Sequence, residues 1–218
     1  YFAPLSHPAD AIPRVAAVEP PRTAERRVTV MAPNAPLPAV AFSFLVPPVT
    51  HPDAAALQVA EAVLSGGESS RLYQSLVYTQ QVAVQVGLNA DLRADAGLFT
   101  IYAVLAGERT AEEGEAAVLA ELARLAVEPI TEAEVNRAKN LLLTGALADR
   151  ETNNDRANAL ARAIVLLGDA ERANTAIDEL QAVTAADVQR VLAQYLVPTN
   201  RLVVHYLPGG EEETGAGE

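Results

Sequence analysis

Strand-like alternation that gives way to a long helical stretch predicts an α+β domain, with helices largely on one face of a sheet. Three observations carry this. Apolar residues alternate in the segments 27–46 and 82–106. From Thr110 onward the apolar period lengthens to about 3.6 residues. Hydroxyl-then-acid pairs at Thr110/Glu113, Thr131/Glu134 and Thr184/Asp187 mark helix starts, because the two side chains satisfy free backbone donors reciprocally.

Taken in order, residues 1–26 contain five prolines, whose fixed φ and missing donor predict an extended connector. A domain spanning 27–207 follows. Its first element is ERRVTVMA, where Val28 and Val30 alternate with Arg27 and Thr29 as a half-buried strand requires; Pro33 stops it. AVAFSFLV is a second strand, with Val40, Phe42, Phe44 and Val46 on one face. Thr50, Pro52 and Asp53 predict a helix start, the Thr50 hydroxyl accepting an amide hydrogen. Leu57, Ala60 and Leu64 form the helix's apolar stripe, and Gly66-Gly67 ends it. A short helix follows, capped by Ser69 or Ser70. VAVQVGLN and GLFTIYAVLA predict a hairpin, with Gly87 as a bulge. The helical region includes a segment from 132 to about 150 and another with Arg156, Leu160, Ile164 and Leu167 before Gly168. RLVVHYL closes the domain as a strand, and 208–218 is an acidic tail of the kind that stays flexible.

The length of 218 residues and the 50% hydrophobic content suit one domain with a sizeable core. Aromatics are only 5% and tryptophan is absent, so that core must be built from Ala, Val and Leu. With no cysteine, the chain has no disulfide, thiolate zinc site or cysteine nucleophile. A formal charge of -12 and the absence of any Lys/Arg run argue against a nucleic-acid partner. No apolar run approaches the ~20 residues of a membrane span. Arginine in place of lysine, with Lys139 the single exception, predicts a bacterial source with a GC-rich genome, the compartment being periplasmic or cytoplasmic. The start at Tyr1, without methionine, predicts a piece of a longer protein.

Few residues offer chemistry. His7, His51 and His205 lack neighbours at metal-ligand spacing and are expected in structural roles. The polar run Asp149, Arg150, Glu151, Asn153, Asn154 and Asp155 is a solvated junction between helices, and Glu112, Glu113 and Glu115 form an acidic first helical turn. The run from Ser65 to Ser70 lacks the lysine of a phosphate loop, and G-x-S-x-G is absent. No catalytic or metal-binding residue is assigned.

Residues 50–87 read THPDAAALQVAEAVLSGGESSRLYQSLVYTQQVAVQVG: an apolar helix, a glycine break, a short helix carrying Arg71 and Tyr73, then a strand. This order resembles the second-domain signature of the pitrilysin/insulinase family of zinc metallopeptidases, which includes the mitochondrial processing peptidases. The zinc motif H-x-x-E-H is absent. The resemblance implies an antiparallel-rich mixed sheet with helices packed mainly on one face, and it makes YFAPL the end of a helix closing a preceding domain. It implies zinc in an upstream domain of the same chain, held by two histidines and a distant glutamate, and no cofactor in this segment.

In relatives whose second half assists catalysis, an arginine and a tyrosine seven residues apart hold the substrate near the zinc. The resemblance puts Tyr78 and Gln85 at those positions. Both are changed, and a phenol cannot supply the charged fork of a guanidinium. The expected function is therefore the inert C-terminal domain of a bacterial zinc metallopeptidase. Such a domain would close one wall of a peptide chamber, with the upstream domain, a second family half or subunit, and a peptide as partners. The alternative is a non-catalytic assembly or core subunit of the same fold, because fold alone does not fix activity.

Overall fold

The computed structural model describes residues 19–209, so most of the expected connector (1–26) and acidic tail (208–218) lie outside the described residues. Five strands form one sheet: β1 (Arg26–Ala32), β2 (Ala39–Val46), β3 (Ala83–Asp91), β4 (Gly97–Leu105) and β5 (Arg201–Pro208). The spatial order is β1-β5-β2-β4-β3. Only β1 and β5 pair in parallel; the other three pairings are antiparallel, which gives the expected antiparallel-rich mixed sheet.

Strand alternation aims Val40, Phe42 and Phe44 of β2, and Phe99, Ile101 and Leu105 of β4, to one side, where all six are fully buried or nearly so. The helices cover that side: α1 (Ala54–Ser65), α2 (Ala111–Val127), α3 (Glu132–Ala148), α4 (Asn153–Arg162), α5 (Arg172–Ala182) and α6 (Ala185–Tyr195). Leu57, Val59, Ala60, Val63 and Leu64 bury almost the whole length of α1 in this core, joined by Val188 and Val191 of α6. Truncating a ring such as Phe99 to alanine would cost about 3–5 kcal/mol.

Hydroxyl-acid boxes close the starts of α2, α3 and α6 at Thr110, Thr131 and Thr184 as expected. A fourth, Thr152 with Asp155, opens α4 and lies hidden in the polar run read as a junction. That run does join α3 to α4; its Arg150 donates to the Ala173 carbonyl. α5 has no side-chain cap to announce it.

Several local expectations are corrected. β1 is not half-buried: Val28 and Val30 point to the sheet face away from the helices and are 48% and 39% exposed, and Met31 on the other face is 58% exposed because β1 lies at the sheet's edge. Thr50 does not cap α1. The cap position is Asp53, whose carboxylate is drawn away from the backbone by Arg190 and Tyr195. Neither Ser69 nor Ser70 caps the short helix; the buried Ser70 hydroxyl has no hydrogen-bond partner among the described residues. That helix winds wide, as a π-helix over Tyr73–Thr79, and the Gln80 amide closes it by donating to the Ser75 carbonyl. Gln81 then takes φ 50°, the left-handed geometry that turns the chain sharply into β3. The bulge in β3 falls between Ala83 and Gln85 and not at Gly87. Gly87 instead leaves room for the Tyr102 ring, which a Cβ would overlap.

Candidate functional site

The residues aligned with the catalytic-assistance pair lie on different elements. Tyr78 ends the wide helical turn with its side chain 55% exposed. Its hydroxyl donates to Glu68 Oε2 at 3.3 Å, and its ring meets Tyr73 edge-on at 5.4 Å. The Glu68 carboxylate raises the phenol above its usual pKa, which makes Tyr78 a neutral donor. Gln85 lies on β3 opposite Val104 and donates through Nε2 to the Tyr102 hydroxyl at 3.5 Å. The two side chains share no partner in these contacts. The arrangement offers neutral hydrogen-bonding groups and no cation.

Arg71, beside them in sequence, is committed elsewhere. Its Nε and Nη2 hold both oxygens of Glu134 at 2.5 and 2.9 Å, and Nη1 and Nη2 donate to the Glu128 and Pro129 carbonyls. The guanidinium holds Glu134 down at about 2, against an ordinary 4.5. Arg71 therefore bolts the short helix to the α2–α3 junction.

Two further networks were not apparent in the sequence. Asp53, at the start of α1, accepts from Arg190 Nη2 and from the Tyr195 hydroxyl, both at 2.7 Å, with His51 Nδ1 at 3.7 Å. Glu115 is not part of a solvated acidic turn: it faces the sheet, buried, accepting from Arg27 of β1 at 2.5 and 2.8 Å and lying 2.7 Å from His205 Nε2 of β5. Arg27 also bonds Glu25, which in turn pairs with Arg201. The chain clips β1 to α2 and β5. Period-3.6 counting could have placed Glu115 inward, between the buried Ala111 and Val118, but no sequence signal pairs it with residues 88 and 90 positions away.

The donor set does not fit zinc. His51 and His205 lie in different networks, each against carboxylates on its own part of the fold, and no group of three His, Asp or Glu side chains converges among the described residues. His7 lies outside them.

No helix of the described residues covers the other face of the sheet. Strand register carries two rows across all five strands, Val28–Val204–Ala41–Tyr102–Gly87 and Val30–Tyr206–Ala39–Val104–Gln85. Tyr102 and Tyr206 are 37% and 42% exposed on this face. No helix of the described residues is long and apolar enough to cross a membrane.

The family profile described as "Peptidase M16 inactive domain" matches residues 1–142. A Mycobacterium tuberculosis (strain ATCC 25618 / H37Rv) protein named an uncharacterized zinc protease is 34% identical over 143 residues, 65% of this chain and 32% of its own length. The chain thus spans about a third of the curated relatives it matches. Among solved structures, a protease from Helicobacter pylori superposes with TM-score 0.85 at 25% identity, covering 93% of this chain and 49% of the other. An inactive peptidase domain from Bordetella parapertussis superposes with TM-score 0.73 at 26% identity, covering 83% of this chain and 96% of the other. Because that profile covers well over half of its length, the chain belongs to the peptidase M16 inactive-domain family.

Proposed function

We propose that this chain, residues 27–207 above all, is the non-catalytic C-terminal domain of a bacterial zinc metallopeptidase, and that its uncovered sheet face closes one wall of a peptide chamber. The observation that carries this reading is the one-sided fold. Helices bury one face of the sheet in a continuous core, while the other leaves Tyr102 and Tyr206 and the edge-strand Val28 and Val30 exposed among the described residues. A surface of this kind marks an interaction site. Zinc and the water-activating glutamate would belong to the upstream part of the parent, which the relatives' greater length and their zinc-protease names support. Tyr78 and Gln85 would serve as neutral hydrogen-bond donors toward a peptide backbone. An intact second half would be needed to supply the charged fork they lack.

The test compares the full-length parent with a version ending before Tyr1. Zinc stoichiometry is measured in both, together with cleavage of unstructured peptides. The expected result is zinc in both proteins and peptide turnover only with this domain present. Stoichiometric metal in the isolated 218-residue chain would overturn the assignment, and full turnover without it would remove the chamber role. A parent with neither zinc nor turnover would be the assembly subunit.

A further inference from the structure

β1 is attached to the helix-covered side of the domain differently from the other four strands. On that side β2, β3, β4 and β5 each place apolar side chains in the buried core, among them Phe42, Leu88, Ile101 and Val203. β1 presents Arg27, Thr29 and Met31 there, opposite Val203, His205 and Leu207 of β5, and none of the three is buried. Charge takes the place of packing. Glu115, buried on α2, accepts from Arg27 of β1 at 2.5 and 2.8 Å and lies 2.7 Å from His205 Nε2 of β5. Around this centre Glu112, on the same helix, comes within 4.0 Å of His205 Nδ1, and Glu25 joins Arg27 to Arg201. The Arg27 guanidinium holds the Glu115 carboxyl below its ordinary 4.5 against the upward push of burial, and His205 adds to the effect.

Both ends of the segment have holds that do not involve Glu115. Upstream, the Arg22 guanidinium donates to the Ser43 and Asn200 carbonyls; downstream, the Ala32 carbonyl accepts from the Ala35 and Gly209 amides. Between them β1 keeps only its backbone ladder to β5 and the contact with Glu115. We infer that β1 is a flap latched by charge: once Glu115 or Arg27 is neutralised, residues 26–32 lift from β5 as a unit while the helix-covered core stays folded, leaving the outer edge of β5 unpaired. Such an edge is a row of backbone donors and acceptors open to another strand. Acid acts in the same direction as substitution. The latch is fully closed above about pH 4.5 and is lost as pH falls through the lower, folded-state value of Glu115.

The test is native-state amide exchange of the full 218-residue chain, read by NMR at neutral pH in low, stepped concentrations of urea. In the wild type the amides that join β1 to β5 are expected to exchange about a hundredfold faster than those that join β2 to β4, and with little dependence on urea. Glu115→Gln keeps the shape of the side chain and removes its charge. Arg27→Gln acts at a side chain 55% exposed, where folding is at little risk. Each should speed exchange of the β1–β5 amides about tenfold further. Val63→Ala, deep in the helix core, should speed the β2–β4 amides and leave the β1–β5 amides unchanged, because it destabilises the closed and lifted forms alike. Exchange of the β1–β5 amides that neither charge variant alters would overturn the latch. One urea dependence shared by both sets of amides, or equal acceleration of both by Val63→Ala, would overturn the flap, since β1 would then open only with the whole domain.

Discussion

Asp53 offers the sharpest energetic test of how α1 is held. Its carboxylate is 8% exposed and accepts from Arg190 and from Tyr195, two hydrogen bonds of 2.7 Å that tie the start of α1 to α6. Hydrogen bonds to a charged group contribute about 1.5–3 kcal/mol each. Arg190, however, has a side chain 49% exposed, so solvent screening reduces its share to about 1 kcal/mol or less. The Tyr195 bond is better shielded; burial, with Asp53 beside it, pushes that phenol up to about 12. Asp53→Ala should therefore cost about 3 kcal/mol and lower Tm by about 6–12 °C. Urea unfolding of the 218-residue chain followed by circular dichroism, combined with double-mutant cycles, measures the parts. Coupling to Tyr195→Phe should exceed coupling to Arg190→Ala.

Asp53 also has a pH signature. Arg190, then Tyr195, hold its carboxyl below the ordinary 3.8. The stabilisation is complete above that ordinary value and disappears as pH falls through the lower, folded-state value. The gap between wild type and variant should thus be widest at neutral pH and close below pH ~4. A Tm loss of less than about 2 °C, or a gap that persists unchanged into acid, would refute the assignment of a buried, charge-assisted anchor.

Two glycines within helices should respond in opposite senses. Gly145→Ala in α3 meets nothing within 4 Å and should gain up to about 1 kcal/mol, whereas Gly114→Ala in α2 would press on buried Leu105 and lose about 1–3 kcal/mol despite better helix propensity; thermal melts decide both. Thr152→Ala removes the capping hydroxyl of α4 and should cost about 1 kcal/mol, with hydrogen exchange rising first in residues 153–156. Arg71→Ala should destabilise by about 1–3 kcal/mol at neutral pH. Because Glu134 is held at about 2 against 4.5, the Arg71 contribution is full above pH 4.5 and fades as pH falls toward about 2, which urea titrations at stepped pH would show.

Strand and helix identities were legible wherever one physical signal acted alone. Alternation at Val40–Phe42–Phe44 placed β2 and its buried face, and the hydroxyl-acid spacing at Thr110, Thr131 and Thr184 placed three helix starts. The signal failed where a tertiary partner competed for the same group. Thr50 has the look of a cap in sequence, but the cap position falls on Asp53, whose carboxylate is recruited by residues 137 and 142 positions away. Val28 and Val30 alternate like a half-buried strand, yet whether an alternating strand is covered depends on its place in the sheet and on which face the helices take, which local pattern does not encode. Gly87 looked like a break in strand geometry and is instead a space for a ring on the neighbouring strand. That the helices gather on one face of the sheet follows from patterning, but which residues share the other face emerges only when five separated segments are laid side by side in register.

The position of β5 sets the order in which this domain can be completed. Among the described strands β5 lies between the first two, so during synthesis β1 lacks its described hydrogen-bonded neighbour until residues 201–208 have left the ribosome. Trimming the chain before Leu202 would strand its opening segment as well, removing two strands for the loss of one. A nascent chain stalled at residue 200 should therefore remain open to proteases along its first described strand, and release only a few residues later should bring protection to both ends together.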